Sequence, residues 1–324
     1  MNRCVAEVAG AHGLSWPTVQ RAVDARAAER LAEPEPVRVL GIDETRFGSP
    51  RWTHDEAGGT WRRTDPWETG FVDLAGGQGL LGQVTGRTSA AVTGWLAERS
   101  DAFRADVQVV ALDPSAPYAA AVRTALPHAR IAVDHFHLVA LANQAVTRVR
   151  QRVTREQLGH RGRASDPAWA NRRLLLRGRE RLSGEAFTRM WNGCADNDPD
   201  GQILAAWIAK EQLRALLATQ RTGGQRHDVA HRLHRFYDWC ARVDVPEVTT
   251  LAETIATWWS AVLVFLQTGI TNAGTEGTNR LVKSVKRNAC GFRNKHHYRD
   301  RVRLHTNRSR NQTTAISGVQ PAQS

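Results

Sequence analysis

Within the first thirty residues, apolar and small positions recur at helical spacing and the pattern breaks once. Ala9, Gly13 and Val19 stand at offsets 0, 4 and 10. That spacing predicts two short helices over residues 4–30, with a small residue where they cross, a glycine free to take positive φ in the turn, and an apolar residue seating the second helix. Ser15 offers an N-cap and Pro17 suits a first helical turn. The second helix, from about Trp16, would expose Thr18, Gln20 and Arg21. The pattern fits a helix-turn-helix that reads DNA, and it also fits an ordinary αα-hairpin. LAEPEP (31–36) closes the segment as a proline-rich acidic linker.

The pattern then changes period. VRVLGIDET (37–45) is a short apolar run ending in acid, as a buried strand would be. ETGFVDLA (68–75) and LLGQVTG (80–86) predict two further strands, with Gly76, Gly77 and Gly79 turning the chain between them. Residues 88–100 have helical spacing, VQVVALD (107–113) is another buried strand, 114–126 is helical, and RIAVDHF (130–136) is a fifth strand running into a helix from about His137 to Arg155. Three meandering strands followed by alternating βα units are the layout of a ribonuclease-H-like α/β domain. The first strand would be central, with the fourth beside it.

From residue 156 to 270 strand signals vanish and helical periodicity takes over, most clearly at Ile203, Leu204, Trp207, Ile208, Leu213, Leu216 and Leu217. Val229–Ala241 and Leu251–Leu266 predict two more helices, and residues 272–305 a long basic one. The expected organisation is a helix-turn-helix and linker (1–36), the first part of an α/β core (37–155), a helical insertion (156–270), a final helix returning to the core (271–305) and a mobile polar tail (306–324).

Charge sharpens this picture. Lys+Arg number 44 against 32 Asp+Glu, a net +12, which favours a polyanionic partner. Lysine occurs only at 210, 283, 286 and 295, so arginine-rich codon usage is the competing explanation of the excess. The four cysteines form no C-x-x-C and draw neither a zinc knuckle nor a redox motif. The first 30 residues lack the apolar core of a secretory signal, and no apolar run approaches the roughly 20 residues of a membrane span. The expectation is a soluble, cytoplasmic protein that meets no membrane.

Asp43 and Asp113 each end an expected buried strand. If the strands are neighbours, both carboxylates leave the sheet at one edge, where they repel unless a divalent cation lies between them. Two such ions can clamp the attacking and leaving oxygens of a phosphodiester. Each Asp also reads as a turn or N-cap residue, Asp113 especially, since Pro114 and Ser115 follow it. A third acid is best found in Glu276, near the start of the basic helix, with Asn279 and Lys283 on the same face. Lys283, Lys286, Arg287 and Arg293 would then bring phosphate-binding cations beside the scissile bond. Charge balance on a solvated helix is the plainer account of Glu276.

Three blocks carry a family resemblance: GIDET, ALDPSAPYAAAVRTALPHARIAVDHFHLVALANQAVTRVR and TNAGTEGTNRLVKSVKRNACGFRN. In order across roughly residues 37–305, they closely resemble the motif blocks of DDE-type bacterial insertion-sequence transposases of the group called ISL-three. The resemblance implies a ribonuclease-H-like core interrupted by a helical insertion, with Asp43, Asp113 and Glu276 as catalytic and metal-binding triad and Asp134, His137 and Asn279 in support. It implies Mg²⁺ as cofactor, with Mn²⁺ able to substitute, and double-stranded DNA, as element ends and target, as partner, bound by a homo-oligomer assembled on it. The DNA-binding residues would be Gln20 and Arg21 for bases and Lys283, Lys286, Arg287 and Arg293 for phosphates. Family members carry a cysteine zinc module before the helix-turn-helix. Cys4 has no such partners here, so the chain reads as shortened at its front. The activity so implied is metal-dependent strand cleavage and strand transfer. The alternatives are an inert DNA-binding regulator derived from a transposase and a nuclease without strand transfer.

Overall fold

The computed structural model describes residues 3–56, 58–196 and 198–307. The expected tail from 306 therefore lies, from 308 onward, outside the described residues. The chain forms two compact units: one takes in the chain up to Ile131 and again from Thr271, the other is Ala132–Ile270.

The first unit begins with α1 (Val5–His12) and α2 (Trp16–Arg30). Gly13 takes φ 64° between them, where its N–H caps the carbonyls of Ala9 and Gly10, and Ser15 Oγ accepts from the Thr18 N–H at 3.3 Å. Val5, Ala9 and Val19 close a small core, joined by Val8.

Strands β1 (Val39–Arg46), β2 (Arg51–Asp55), β3 (Thr60–Thr64), β4 (Trp67–Asp73) and β5 (Leu80–Thr85) follow. Then come α3 (Ser89–Ala97), α4 (Asp101–Asp106), β6 (Val109–Leu112), α5 (Ala116–Ala125) and β7 (Arg130–Val133). Five strands make one mixed sheet in the order β5-β4-β1-β6-β7. Strand β1 is central, antiparallel to β4 and parallel to β6. Its Leu40 and Ile42, with Val110 and Leu112 of β6, are wholly buried, which is why these strands read as unbroken apolar runs. Phe71 stacks on Trp95 with centroids 3.8 Å apart, seating α3 on the sheet. Strands β2 and β3 pair only with each other, and every residue of both is exposed. They bury no apolar face, so the sequence pattern carried no sign of them.

The second unit is helical: α6 (His135–Leu158), α7 (Pro167–Ala170), α8 (Arg172–Leu175), α9 (Gly184–Ala195), α10 (Gln202–Leu217), α11 (Arg226–Val243), α12 (Pro246–Thr257) and α13 (Trp259–Thr268). It starts at Ala132 because α6 packs against α10 and α12. Buried Ile203, Leu204, Trp207, Leu213, Leu216 and Leu217 put α10 at its centre. The apolar stretch expected as one helix over 251–266 belongs to two, α12 and α13, bent by 68°. Among the described residues no single helix is long and apolar enough to cross a membrane.

The chain returns to the first unit as α14 (Ala273–Asn288) and α15 (Lys295–Thr306), two helices where the periodicity predicts one. Cys290 and Gly291 take φ of 53° and 96°, the Gly291 N–H returns to Lys286 O at 3.1 Å, and Asn294 caps the new helix by accepting from the N–H groups of His296 and His297. The break lets Val282 and Val285 of α14 and Tyr298 and Val302 of α15 share one core with Val72 and Leu80 of the sheet.

Candidate active site

Asp43 lies inside β1, opposite Gly70 of β4, and the strand expected to end at this acid runs on to Arg46 because its pairing with β4 continues past the point where β6 stops. The parallel register of β1 and β6 ends at Ile42↔Leu112, so Asp43 and Asp113 follow at the same level on adjacent strands. Neighbouring strands lie about 4.8 Å apart, and residues at one level of a parallel pair leave the same face. Both side chains are partly exposed. Asp43 Oδ1 accepts from the Glu44 N–H at 2.7 Å, and its Oδ2 accepts from Asn279 Nδ2 at 2.6 Å. Asp113 Oδ1 accepts from Asn272 Nδ2 at 3.3 Å, which also reaches Ile42 O.

The two asparagines belong to one helix. Asn272 is the N-cap residue of α14, wholly buried, and Asn279 lies two turns on. Glu276 stands between them at i+4 and i−3, hence on the same face, with its N–H bonded to Asn272 O. One stripe of α14 therefore presents Asn272 to Asp113, Asn279 to Asp43, and a partly exposed acid between them. Helix and strand come this close because residue 41 is glycine. A Cβ there would run into Thr275 Oγ1 and lie 3.0 Å from Leu74 Cδ1.

Tyr118 of α5 closes another side. It is buried, its hydroxyl lies 2.9 Å from Thr69 Oγ1, and Thr69 donates to Gly86 O. Burial raises its phenol well above the ordinary value. The Thr69 hydrogen bond opposes this, while the nearby charges of Glu44 and Asp43 add to it. The group stays a neutral hydroxyl beside the acids.

A family model described as "Transposase" (DDE_Tnp_ISL3) matches residues 40–302, the stretch that carries Asp43, Asp113 and all of α14. The chain belongs to the ISL-three transposase family. It is 24% identical over 293 residues to the transposase for insertion sequence element IS1001 of Bordetella parapertussis, covering 90% of this chain and 66% of that one. It is 25% identical over 301 residues to the transposase for insertion sequence element IS1557 of Mycobacterium tuberculosis, covering 86% and 63%. The chain thus spans a little under two thirds of the length of these relatives. Among solved structures, a Drosophila P element transposase strand transfer complex aligns with a TM-score of 0.36 at 11% identity, covering 95% of this chain and 80% of that one.

The remaining expected site residues of this chain fall in three places. Lys283, Arg287 and Arg293 are exposed, whereas Lys286 is half-buried and donates to Arg46 O at 2.5 Å. Burial, with the charge of Lys283, lowers its pKa. In α2, Arg21 is exposed, while Gln20 is 6% exposed and donates to Asp24 at 2.7 Å. Asp134 and His137 belong to the helical unit. There Asp134 is wholly buried as N-cap of α6, accepting from the Phe136 N–H at 2.9 Å, with His135 Nδ1 at 3.5 Å and His137 Nδ1 at 3.9 Å. Burial pushes its pKa up, but the two neighbouring imidazoles and the Phe136 N–H outweigh that, and the net shift is downward. Sequence reasoning missed Asn272, although carrying the Glu276–Asn279 face back one turn reaches it. Tyr118 stands in the second motif block, but nothing local in the sequence marks it as a neighbour of the acids.

Proposed function

We propose that this chain catalyses metal-dependent DNA strand cleavage and strand transfer in the movement of an insertion sequence, with Asp43, Asp113 and Glu276 as its triad of acids. The observation that carries this reading is the stripe Asn272–Glu276–Asn279, whose two amides hold the Asp43 and Asp113 carboxylates while the acid between them faces the same way. The sheet order, with β5, β4 and β1 as an antiparallel meander and β6 parallel to the central β1, supports a ribonuclease-H-like core. The turn at Gly13 and the Ser15 cap support a helix-turn-helix at the front.

The donor set is all oxygen, and the buried Asn272 Oδ1 has no hydrogen-bond partner, which suits a hard cation such as Mg²⁺. Bound by the three acids, Mg²⁺ would lower the pKa of an attacking water or 3′-hydroxyl and stabilise the leaving oxygen. The chain's own part is to hold the acids in position. Asn279 and the Glu44 N–H donate to Asp43, and Asn272 donates to Asp113. Exposed Lys283, Arg287 and Arg293 would take the phosphates of duplex DNA, on which copies of the chain would assemble.

Asp43→Asn, Asp113→Asn and Glu276→Gln should each lower Mg²⁺- or Mn²⁺-dependent cleavage of an element-end duplex by about two orders of magnitude or more. DNA affinity should be unchanged or slightly higher in each. Near-normal cleavage by any one variant removes that residue from the triad. Normal cleavage by all three ends the proposal.

A further inference from the structure

The hairpin of β2 and β3 displays aromatic rings to solvent with no part of the proposed reaction to explain them. Trp52 is 60% exposed and Trp61 65%, a large apolar display for strands that bury nothing. The register pairs Trp52 with Arg63 and His54 with Trp61. Paired residues share a face, so Trp52, His54, Trp61 and Arg63 all project from one side of the ribbon. The His54 and Trp61 rings meet edge to face at 5.1 Å. Trp52 and Trp61 are diagonal neighbours on that face, about 7–8 Å apart at their backbones, which leaves room for a flat ring between or upon them. The strand residues of this face include no acid. Asp55, whose register partner is Thr60, lies on the other side.

The ribbon is fixed at its root. The Phe47 N–H donates to Pro66 O at 2.6 Å, and Phe47 packs on Tyr298. The root is also cationic: Arg46 and Arg87 each place a guanidinium 4.8 Å from the ring centre of Trp67, and Lys286 donates to the Arg46 carbonyl. Asp65 offsets part of this charge through Arg46 and Arg63. Arg51 follows Asp43 by only eight positions, so the ribbon starts within about 28 Å of the acid. Aromatic faces beside a cationic track are the combination that takes unpaired nucleotides, since every base has a π-face to stack and every phosphate a charge to meet.

We propose that the Trp52–Trp61 face of this hairpin stacks on unpaired bases of DNA close to the cleavage point, holding a frayed or tailed strand end. The proposal rests on the transposase reading above. A second protein chain is the competing occupant, but its docking would not call for the cations at the hairpin root.

The test compares a blunt duplex with the same duplex carrying a short single-stranded tail that contains 2-aminopurine. The unaltered protein should prefer the tailed duplex and change the 2-aminopurine fluorescence. Trp52→Ala and Trp61→Ala should each weaken tailed binding by about five- to one-hundred-fold and leave blunt binding as it was. Trp52→Phe and Trp61→Phe should keep most of the preference. Because both residues are exposed, the variants should fold, which circular dichroism checks. A double Ala variant that keeps the tailed preference overturns the proposal. So does one that loses self-association in sedimentation while binding both duplexes normally, which would make the face a protein interface. If the unaltered protein binds neither duplex, the transposase reading itself fails.

Discussion

Asn279 contributes one amide hydrogen to one carboxylate, and the site depends on it more than its chemistry suggests. Its 2.6 Å bond to Asp43 Oδ2, with the Glu44 N–H on Oδ1, sets how that carboxylate is turned. Partners that orient a ligand typically matter ten- to a hundredfold, so Asn279→Ala should lower cleavage by about that factor. The loss should be partly recovered at high Mg²⁺, a recovery that titrating the metal in single-turnover cleavage would reveal; loss of fold would not be rescued this way. Asp43, Asp113, Glu276 and Asn279 could be named from the sequence as candidates because apolar runs followed by an acid and helix faces of fixed period are local signals. Asn272 and Gly41 could not. Their roles depend on how closely α14 approaches β1, and the hydrogen bond from Asn272 to Ile42 spans 230 residues of chain, a distance no local pattern encodes.

Among elements, α15 shows why a basic run need not be a DNA track throughout. Glu68 of β4 is wholly buried and meets Lys295 at 3.0 Å and Arg299 at 2.7 Å, with Thr85 as a further donor. These cations tie α15 to the sheet. The two halves of the cluster are unequal, because Glu68 has no access to water while its partners keep 37% and 30% of their side-chain surface. Replacing both Lys295 and Arg299 with Ala strands a buried charge and should cost about 3–5 kcal/mol. Glu68→Gln leaves cations that water can reach and should cost less, about 1–3 kcal/mol. Urea unfolding of the variants measures both, and equal losses would mean that Glu68 is not the group whose desolvation matters. The sequence showed the basic excess of this region but not its break at Cys290, since a chain reversal by two positive-φ residues leaves helical periodicity intact on both sides. It likewise hid the β2–β3 hairpin, whose strands turn no face to a core.

Across the whole molecule the net charge of +12 divides into cations held by the fold and cations left for a partner. Lys283 and Arg287 are exposed, so replacing both with Ala should weaken binding to all duplexes alike. The slope of log affinity against log salt should fall by about 0.9 for each phosphate that is no longer neutralised. Arg21, exposed on α2 where Gln20 is not, should instead change preference among sequences when replaced, since groups that meet base edges specify and groups that meet phosphates position. Affinity measured against salt for an element-end duplex and a scrambled one separates the two effects. Unchanged slopes would return the arginine excess to codon usage. The change of period in the sequence falls at residue 156, whereas the helical unit begins at Ala132. That α6 joins the helices was not legible, because a helix that follows a strand carries no mark of which side it will pack on.

The discontinuous first unit also sets an order of events during synthesis. Its central strand emerges early, but α14 emerges only after the entire helical unit has been made. Glu276 trails Asp113 by 163 residues, about 8–30 s of translation at 5–20 residues per second. Throughout that interval a nascent chain holds two of the three acids and neither asparagine. A chain released before residue 272 would display the front helices and the aromatic hairpin without the means to cut. On the proposed assignment, the emergence of α14 is the arming step, and a product that stops before it lacks the third acid.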